Sequence, residues 1–278
     1  MDRIFEKVKI IDLSATIDNA SIELQPVKIK YISHKKGAFL LGLSVLFQKK
    51  FPFKDLFLYL FGIKRITAKD FPDGLGLAWE DINIGTHIGT HLDSPWHFGP
   101  ASEGRPAKTI DQIPLEWCYA DGVVLDIRDK KQKELITLKD IQDALQRIKY
   151  SIKKNDIVLI MTGASQYAQN KEYLRSYPGI SREAVFWLIK QGVKIIGTDT
   201  WGFDRPFENM IKDYLRTKDK NHLWPAHLVG REKEYCHIEK LVNLDKLPPY
   251  GFKVAVFPIK LKGTSAAWVR AVAIINLR

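Results

Sequence analysis

The sequence predicts an α/β fold built on a mixed sheet, and three observations carry that prediction. Two strand-then-helix units follow one another between residues 123 and 197, a capping residue stands where each helix should begin, and two strand-like runs near the C-terminus have no helix between them. The first unit opens with Val123-Val124-Leu125-Asp126-Ile127. Its helix follows Thr137 and repeats Leu138, Ile141, Leu145 and Ile148 on one face. The second has the strand Ile157 to Met161, a Thr162-Gly163 turn, and a helix capped by Ser181 that runs through Ala184, Val185, Leu188 and Ile189. Gly192 closes that helix, and the strand Val193 to Gly197 follows. Lys9 to Ala15, Lys253 to Ile259 and Ala267 to Ile275 read as further strands.

No internal repeat or low-complexity linker divides the 278 residues, so 1–278 reads as a single domain. Hydrophobic residues at 45% and charged residues at 27% are ordinary for a folded, soluble protein. A net charge of +11 invites a nucleic-acid reading, but the lysines are dispersed, as in Asp129-Lys130-Lys131-Gln132-Lys133-Glu134, and no basic tract interleaves with aromatics. A solvated basic surface without a nucleic-acid partner is expected. Cys118 and Cys236 stand far apart with no paired spacing, and Met1 to Glu6 lacks the layout of a secretion signal, so a reducing, cytoplasmic setting is expected.

Residues 37–64 hold two apolar, aromatic runs around the basic Lys49-Lys50-Phe51-Pro52-Phe53-Lys54-Asp55. Neither run reaches the roughly 18 residues that a membrane span needs. A lid, a subunit-contact arm and an interfacial membrane anchor compete here, the first two being favoured; residues 35–80 are therefore taken as a lid or subunit-contact insertion.

Three of the seven histidines and one carboxylate fall in the stretch His87-Ile88-Gly89-Thr90-His91-Leu92-Asp93-Ser94-Pro95-Trp96-His97. Imidazole and carboxylate suit a borderline divalent cation, and their donor atoms must converge to about 2.0–2.2 Å from it. A straight strand would hold His87 and Asp93 roughly 20 Å apart, so the segment is expected to curl as a loop, helped by Gly85, Gly89 and Pro95. The candidate ligands are His87, His91, Asp93 and His97. More ligands are needed, and composition does not choose among His34, His222, His227 and His237.

The spacing His87-x-Gly89-Thr90-His91-x-Asp93-x-Pro95-x-His97 resembles the signature of the metal-dependent cyclase superfamily, which includes bacterial kynurenine formamidase and isatin hydrolase. Asp12-Leu13-Ser14, Gly197-Thr198-Asp199, the pair His227 and Glu239 with Asn243-Leu244, and the closing Phe257 to Leu261 and Val269 to Ala273 are similar to that family as well. The resemblance implies a swivelling β/β/α fold, a homo-oligomer (dimer or tetramer), and two divalent ions, zinc or manganese. One ion would be held by His87, His91 and Asp93, the second by His227, with Asp93 and Glu239 bridging. His97 would be the acid/base, and Thr90 would support the loop or orient a ligand.

Pro114 to Cys118, Trp201 to Pro206 and Gly230 to Cys236 resemble the longer members of the family from aromatic polyketide pathways. The implied activity on a small-molecule substrate is hydrolysis of an amide C–N bond in an aromatic or cyclic compound by a metal-activated hydroxide, as in an arylformamidase. The alternatives are a metal-dependent polyketide cyclase performing an intramolecular aldol condensation and, less favoured, a metal-stabilised binding protein without catalysis. Asp199 and Asp204 are read as turn-capping or ionic residues. His237 sits two residues before Glu239 and is left out, because on an extended segment it would share that face only by the accident of period two. Trp96, Trp201 and Trp224 are candidates for an aromatic pocket or for packing.

Overall fold

The computed structural model describes residues 7–44, 53–63 and 65–277. Its strands are β1 (Val8–Asp12), β2 (Lys28–Ile32), β3 (Trp79–Asn83), β4 (His91–Asp93), β5 (Tyr119–Asp126), β6 (Ile157–Met161), β7 (Ile195–Thr198), β8 (Cys236–Glu239), β9 (Tyr250–Ala255), β10 (Ala266–Trp268) and β11 (Val272–Asn276), beside three two-stranded pairings of which β2 with β3 is the longest. The helices are α1 (His34–Ser44), α2 (Phe53–Leu60), α3 (Pro95–Phe98), α4 (Leu138–Arg147), α5 (Arg182–Lys190) and α6 (Phe207–Thr217). Nine strands share one sheet in the order β1-β11-β9-β5-β6-β7-β8-β4-β10. The four central strands β5 to β8 are parallel, and every outer pairing is antiparallel. This is the mixed α/β arrangement that the order of strands and helices predicts.

Parallel neighbours need crossovers, and α4 and α5 serve two of them. Thr137 caps α4: its hydroxyl accepts from Asp140 N while the Asp140 carboxylate accepts from Thr137 N. Ser181 caps α5 by accepting from Ala184 N. Strand β6 is buried from end to end, as a central parallel strand covered on both faces should be. Its Ile157, Leu159 and Met161 enter one core, and Val158 and Ile160 enter a second that contains Ile141 and Leu145 of α4 and Val185 and Leu188 of α5.

The first core is closed by curvature of the sheet. The run 267–275, read as one strand from its sequence, is two strands near opposite ends of the sheet: β10 pairs with β4 at one edge, and β11 lies between β9 and the edge strand β1 at the other. Only residues 269–271 join them, so the edges must approach each other, and Leu13 bridges the gap by donating to Ala271 O at 2.9 Å and accepting from Val242 N at 3.0 Å. No glycine or proline marks that break, because the chain changes strand partner there without reversing.

The described residues within 26–84 form one compact unit and those outside it a second. In the smaller unit β2 pairs antiparallel with β3. Helix α1 buries Gly37, Ala38 and Gly42; a β-carbon on Gly37 would lie 1.8 Å from Leu77 O, so the helix backbone packs directly on the extended chain. The apolar run 37–47 is helical as far as Ser44, and the rest of it, with the basic residues to Pro52, lies outside the described residues. Among the described residues no helix is long and apolar enough to cross a membrane.

Candidate metal centre

Strand alternation builds the site. On β4, Leu92 enters the first core, so His91 and Asp93 face the other way. On β8, Cys236 and Ile238 enter the same core, and His237 and Glu239 face the other way. The antiparallel register sets His237 opposite Asp93 and Glu239 opposite His91. Four side chains with metal-ligand chemistry therefore form a square on one face, at the C-terminal end of the parallel strands, where α/β sheets place their ligands.

The segments around β4 and β8 add three more histidines. Gly89 turns the chain ahead of β4 with φ +66°, and any side chain there would collide with Ile17. His87 lies in that turn with Nδ1 2.8 Å from Asp93 Oδ1. Pro95 starts the single turn of α3, which folds His97 back until its Nε2 is 3.7 Å from Asp93 Oδ2. The 3-10 turn His227–Arg231 brings His227 Nε2 to 3.8 Å from Glu239 Oε1. His91 Nε2 lies 3.3 Å from Asp93 Oδ1 and 3.7 Å from Glu239 Oε2; His237 Nε2 lies 2.9 Å from Asp93 Oδ2 and 3.5 Å from Glu239 Oε1.

The outer nitrogens of the rings are occupied, which leaves the inner ones free. His91 Nδ1 donates to Gly89 O at 2.8 Å, and His227 Nδ1 to Asp204 Oδ2 at 2.6 Å. The Tyr235 hydroxyl donates to Ala226 O, so its oxygen receives His237 Nδ1–H at 3.3 Å. In the neutral ring these bonds fix the tautomer whose Nε2 lone pair points inward. His87 Nε2 meets Ser265 Oγ at 3.0 Å, leaving Nδ1 toward Asp93. Among the described residues, the buried side-chain polar atoms without a hydrogen-bond partner are His91 Nε2, His237 Nε2 and both oxygens of Asp93. All belong to this cluster. Buried polar atoms are almost always satisfied, and the orphaned lone pairs of these fit a divalent cation of the zinc or manganese type.

Charge follows the same geometry. Burial raises the Asp93 pKa, but His91 and His97 and the other surrounding rings outweigh it and hold the carboxyl well below the usual range. Glu239 is likewise held at about 2, burial being overcome by His237 above all. Burial disfavours a charge on His97 and brings its pKa down to about 4, so the ring is neutral near pH 7.

Above the cluster lies a cavity of about 470 Å³. Tyr177, Trp201, Phe203, Phe207 and Trp224 form aromatic walls, while His87, Asp93, His97, His227 and Glu239 form the floor. Trp201 and Trp224 thus stand in the pocket, whereas Trp96 is exposed and outside its lining. The wall is held by a buried pair: Lys240 Nζ donates to both Glu23 oxygens, at 2.9 and 2.7 Å, and to His87 O at 2.9 Å. Glu23 also accepts from Gly89 N and from Trp201 Nε1.

Every residue singled out from the sequence for this site, His87, His91, Asp93, His97, His227 and Glu239, is brought together. Thr90 stands behind the strands, accepting from Ala15 N at 2.8 Å and donating to Lys240 O at 2.6 Å, so it ties the loop to the end of β8. Asp199 caps the turn after β6 by accepting from Thr162 N and Gly163 N. Asp204 caps Ala226 N and His227 N and orients the His227 ring as well. His237 is the residue that sequence reasoning passed over. Its signal was the His-x-Glu spacing, which puts both side chains on one face of a strand.

Comparison with known proteins gives the family and the fold. The model of the family described as putative cyclase matches residues 11–205, and the chain belongs to that family. The isatin hydrolase of Roseibium aggregatum is 24% identical over 230 residues, covering 77% of this chain and 80% of that protein. The kynurenine formamidase of Salinibacter ruber is 26% identical over 209 residues, covering 74% and 84%. A crystal structure of an isatin hydrolase bound to the product analogue thioisatinate superposes with a TM-score of 0.72 at 20% identity, over 98% of this chain and 94% of its own. The family is one of hydrolase-type enzymes.

Proposed function

We propose that this protein is a divalent-metal-dependent hydrolase that cleaves the carbonyl C–N bond of an amide in an aromatic or cyclic small molecule. The observation that carries this reading is the convergence of orphaned buried donor atoms beneath a cavity with aromatic walls. His87, His91 and Asp93 would hold one ion and His227 a second, with Asp93 and Glu239 shared, and zinc or manganese suits such donors. Cations held there would polarise the substrate carbonyl and make water acidic enough to serve as a nucleophile near neutral pH.

The chain's own groups supply the rest. Trp201, Phe203 and Trp224 offer flat apolar surfaces to an aromatic ring. His97 faces the cavity as a neutral ring, so its imidazole can take a proton at neutral pH and return it to the leaving nitrogen. The exposed Phe57, Leu60, Phe61 and Ile63 support a subunit-contact role for residues 35–80 in a homo-oligomer, with a lid as the other use of that segment. The free, buried Cys118 and Cys236 support a cytoplasmic setting.

The test is turnover of an N-formyl aryl amine and of a cyclic aromatic amide, with products weighed by mass spectrometry. A product heavier by one water, lost with chelator and restored by zinc or manganese, is expected. Turnover indifferent to chelator would refute the reading. Ring closure of a polyketide chain with no water added would favour the aldol cyclase instead.

A further inference from the structure

We propose that His237 is a metal ligand, closing a four-residue shell with Asp93, His227 and Glu239; this rests on the metal-dependent reading above. The resemblance to the cyclase family assigns no role to this residue, and its place comes from geometry alone. One donor atom from each of the four residues lies within 4.8 Å of the others. Metal–ligand bonds of about 2.1 Å at tetrahedral angles separate ligand atoms by about 3.4 Å. The His237 Nε2 contacts of 2.9 Å to Asp93 and 3.5 Å to Glu239, and the 3.8 Å from His227 to Glu239, bracket that value.

His237 is fully buried, stacked on Phe203 with ring centroids 4.1 Å apart and planes inclined by 10°. Packing alone would account for an aromatic ring there but not for a nitrogen set between two carboxylates. Nδ1 is bound by Tyr235, whereas Nε2 lies 2.9 Å from Asp93 and 3.5 Å from Glu239. Without a metal a proton on Nε2 must fill that gap, and a cation would take the proton's place.

With His237, the ion beside His227 would be met by two histidines and two carboxylates, a full tetrahedral set. His237 itself lies outside the cavity lining, to which His87, His97 and His227 belong.

The experiment compares wild type with His237→Phe, which keeps the stack on Phe203 but removes the donor, and with His237→Gln. Metal per chain is measured after dialysis against a weak chelator, and the visible spectrum of the cobalt-substituted protein reports coordination number. Wild type should keep two equivalents and show intense tetrahedral cobalt bands. Both variants should bind one equivalent more weakly by more than about tenfold and lose those bands. Variants that keep both metals at wild-type affinity would overturn the proposal. Should neither variant fold, anomalous diffraction from wild type decides: a metal peak about 2.0–2.1 Å from His237 Nε2 supports it, and a peak beyond bonding distance from that atom overturns it. Wild type with no metal at all would instead overturn the metal-dependent reading itself.

Discussion

Asp204 Oδ2 accepts the Nδ1–H of His227 at 2.6 Å, and the same carboxylate caps the backbone N–H groups of Ala226 and His227. One buried side chain thus sets both the start of the 3-10 turn and the tautomer of the ring that the turn presents. Asp204→Asn keeps an acceptor for the backbone but holds the imidazole less firmly. Metal affinity should fall by about 10- to 100-fold with the fold intact, measured by competition with a coloured chelator and by circular dichroism.

His97 is the cavity-facing histidine whose removal should separate chemistry from binding. In His97→Ala, metal content should stay at the wild-type level while kcat falls by about 10²- to 10⁴-fold. Metal analysis and steady-state kinetics on the same preparation check this. Near-normal turnover would move the proton-transfer role elsewhere.

The cluster also sets a pH dependence for chelator-stripped protein. Burial opposes a charge on His237, but Asp93 and Glu239 outweigh it and raise its pKa from 6.5 to about 9. Its contribution to stability is fully present below pH 6.5 and is lost as pH rises through about 9, because the native state then sheds a proton that the unfolded state has already lost. His87, also raised, acts in the same direction. Thermal melting of stripped protein should therefore drop between pH 6.5 and 9. Metal uptake at pH 7.5 should release protons, which calorimetry in buffers of different ionisation enthalpy would show.

Lys240 and Glu23 form a buried pair whose partners are His87 O, Gly89 N and Trp201 Nε1. Lys240→Met leaves a buried carboxylate unpaired and should destabilise by about 3–5 kcal/mol. The double variant Glu23→Gln, Lys240→Met should recover part of that loss. Denaturant unfolding of wild type, Glu23→Gln, Lys240→Met and the double variant measures it; additive losses would show that the pair does not act as a unit.

Local signals made much of the fold legible. Thr137 and Ser181 marked the helix starts, and Ile157 to Met161 formed a strand with those bounds. The histidine loop declared itself because His87, His91, Asp93 and His97 crowd one short stretch. What escaped depends on contacts between distant segments. Cys-His-Ile-Glu is buried at all four positions, so burial does not alternate along β8, and His237 joins Asp93 only through pairing with β4. The division of residues 267–275 between opposite ends of the sheet follows from its closure, which nothing in Val269-Arg270-Ala271 announces.

Asp93 stands at the centre of the account, within 3.7 Å of His87, His91, His97 and His237. Metal per chain, measured by mass spectrometry on wild type and Asp93→Ala purified side by side, tests it most directly. Two ions in wild type and neither retained in the variant is the result the shared carboxylate requires. A variant that keeps the wild-type complement would contradict it.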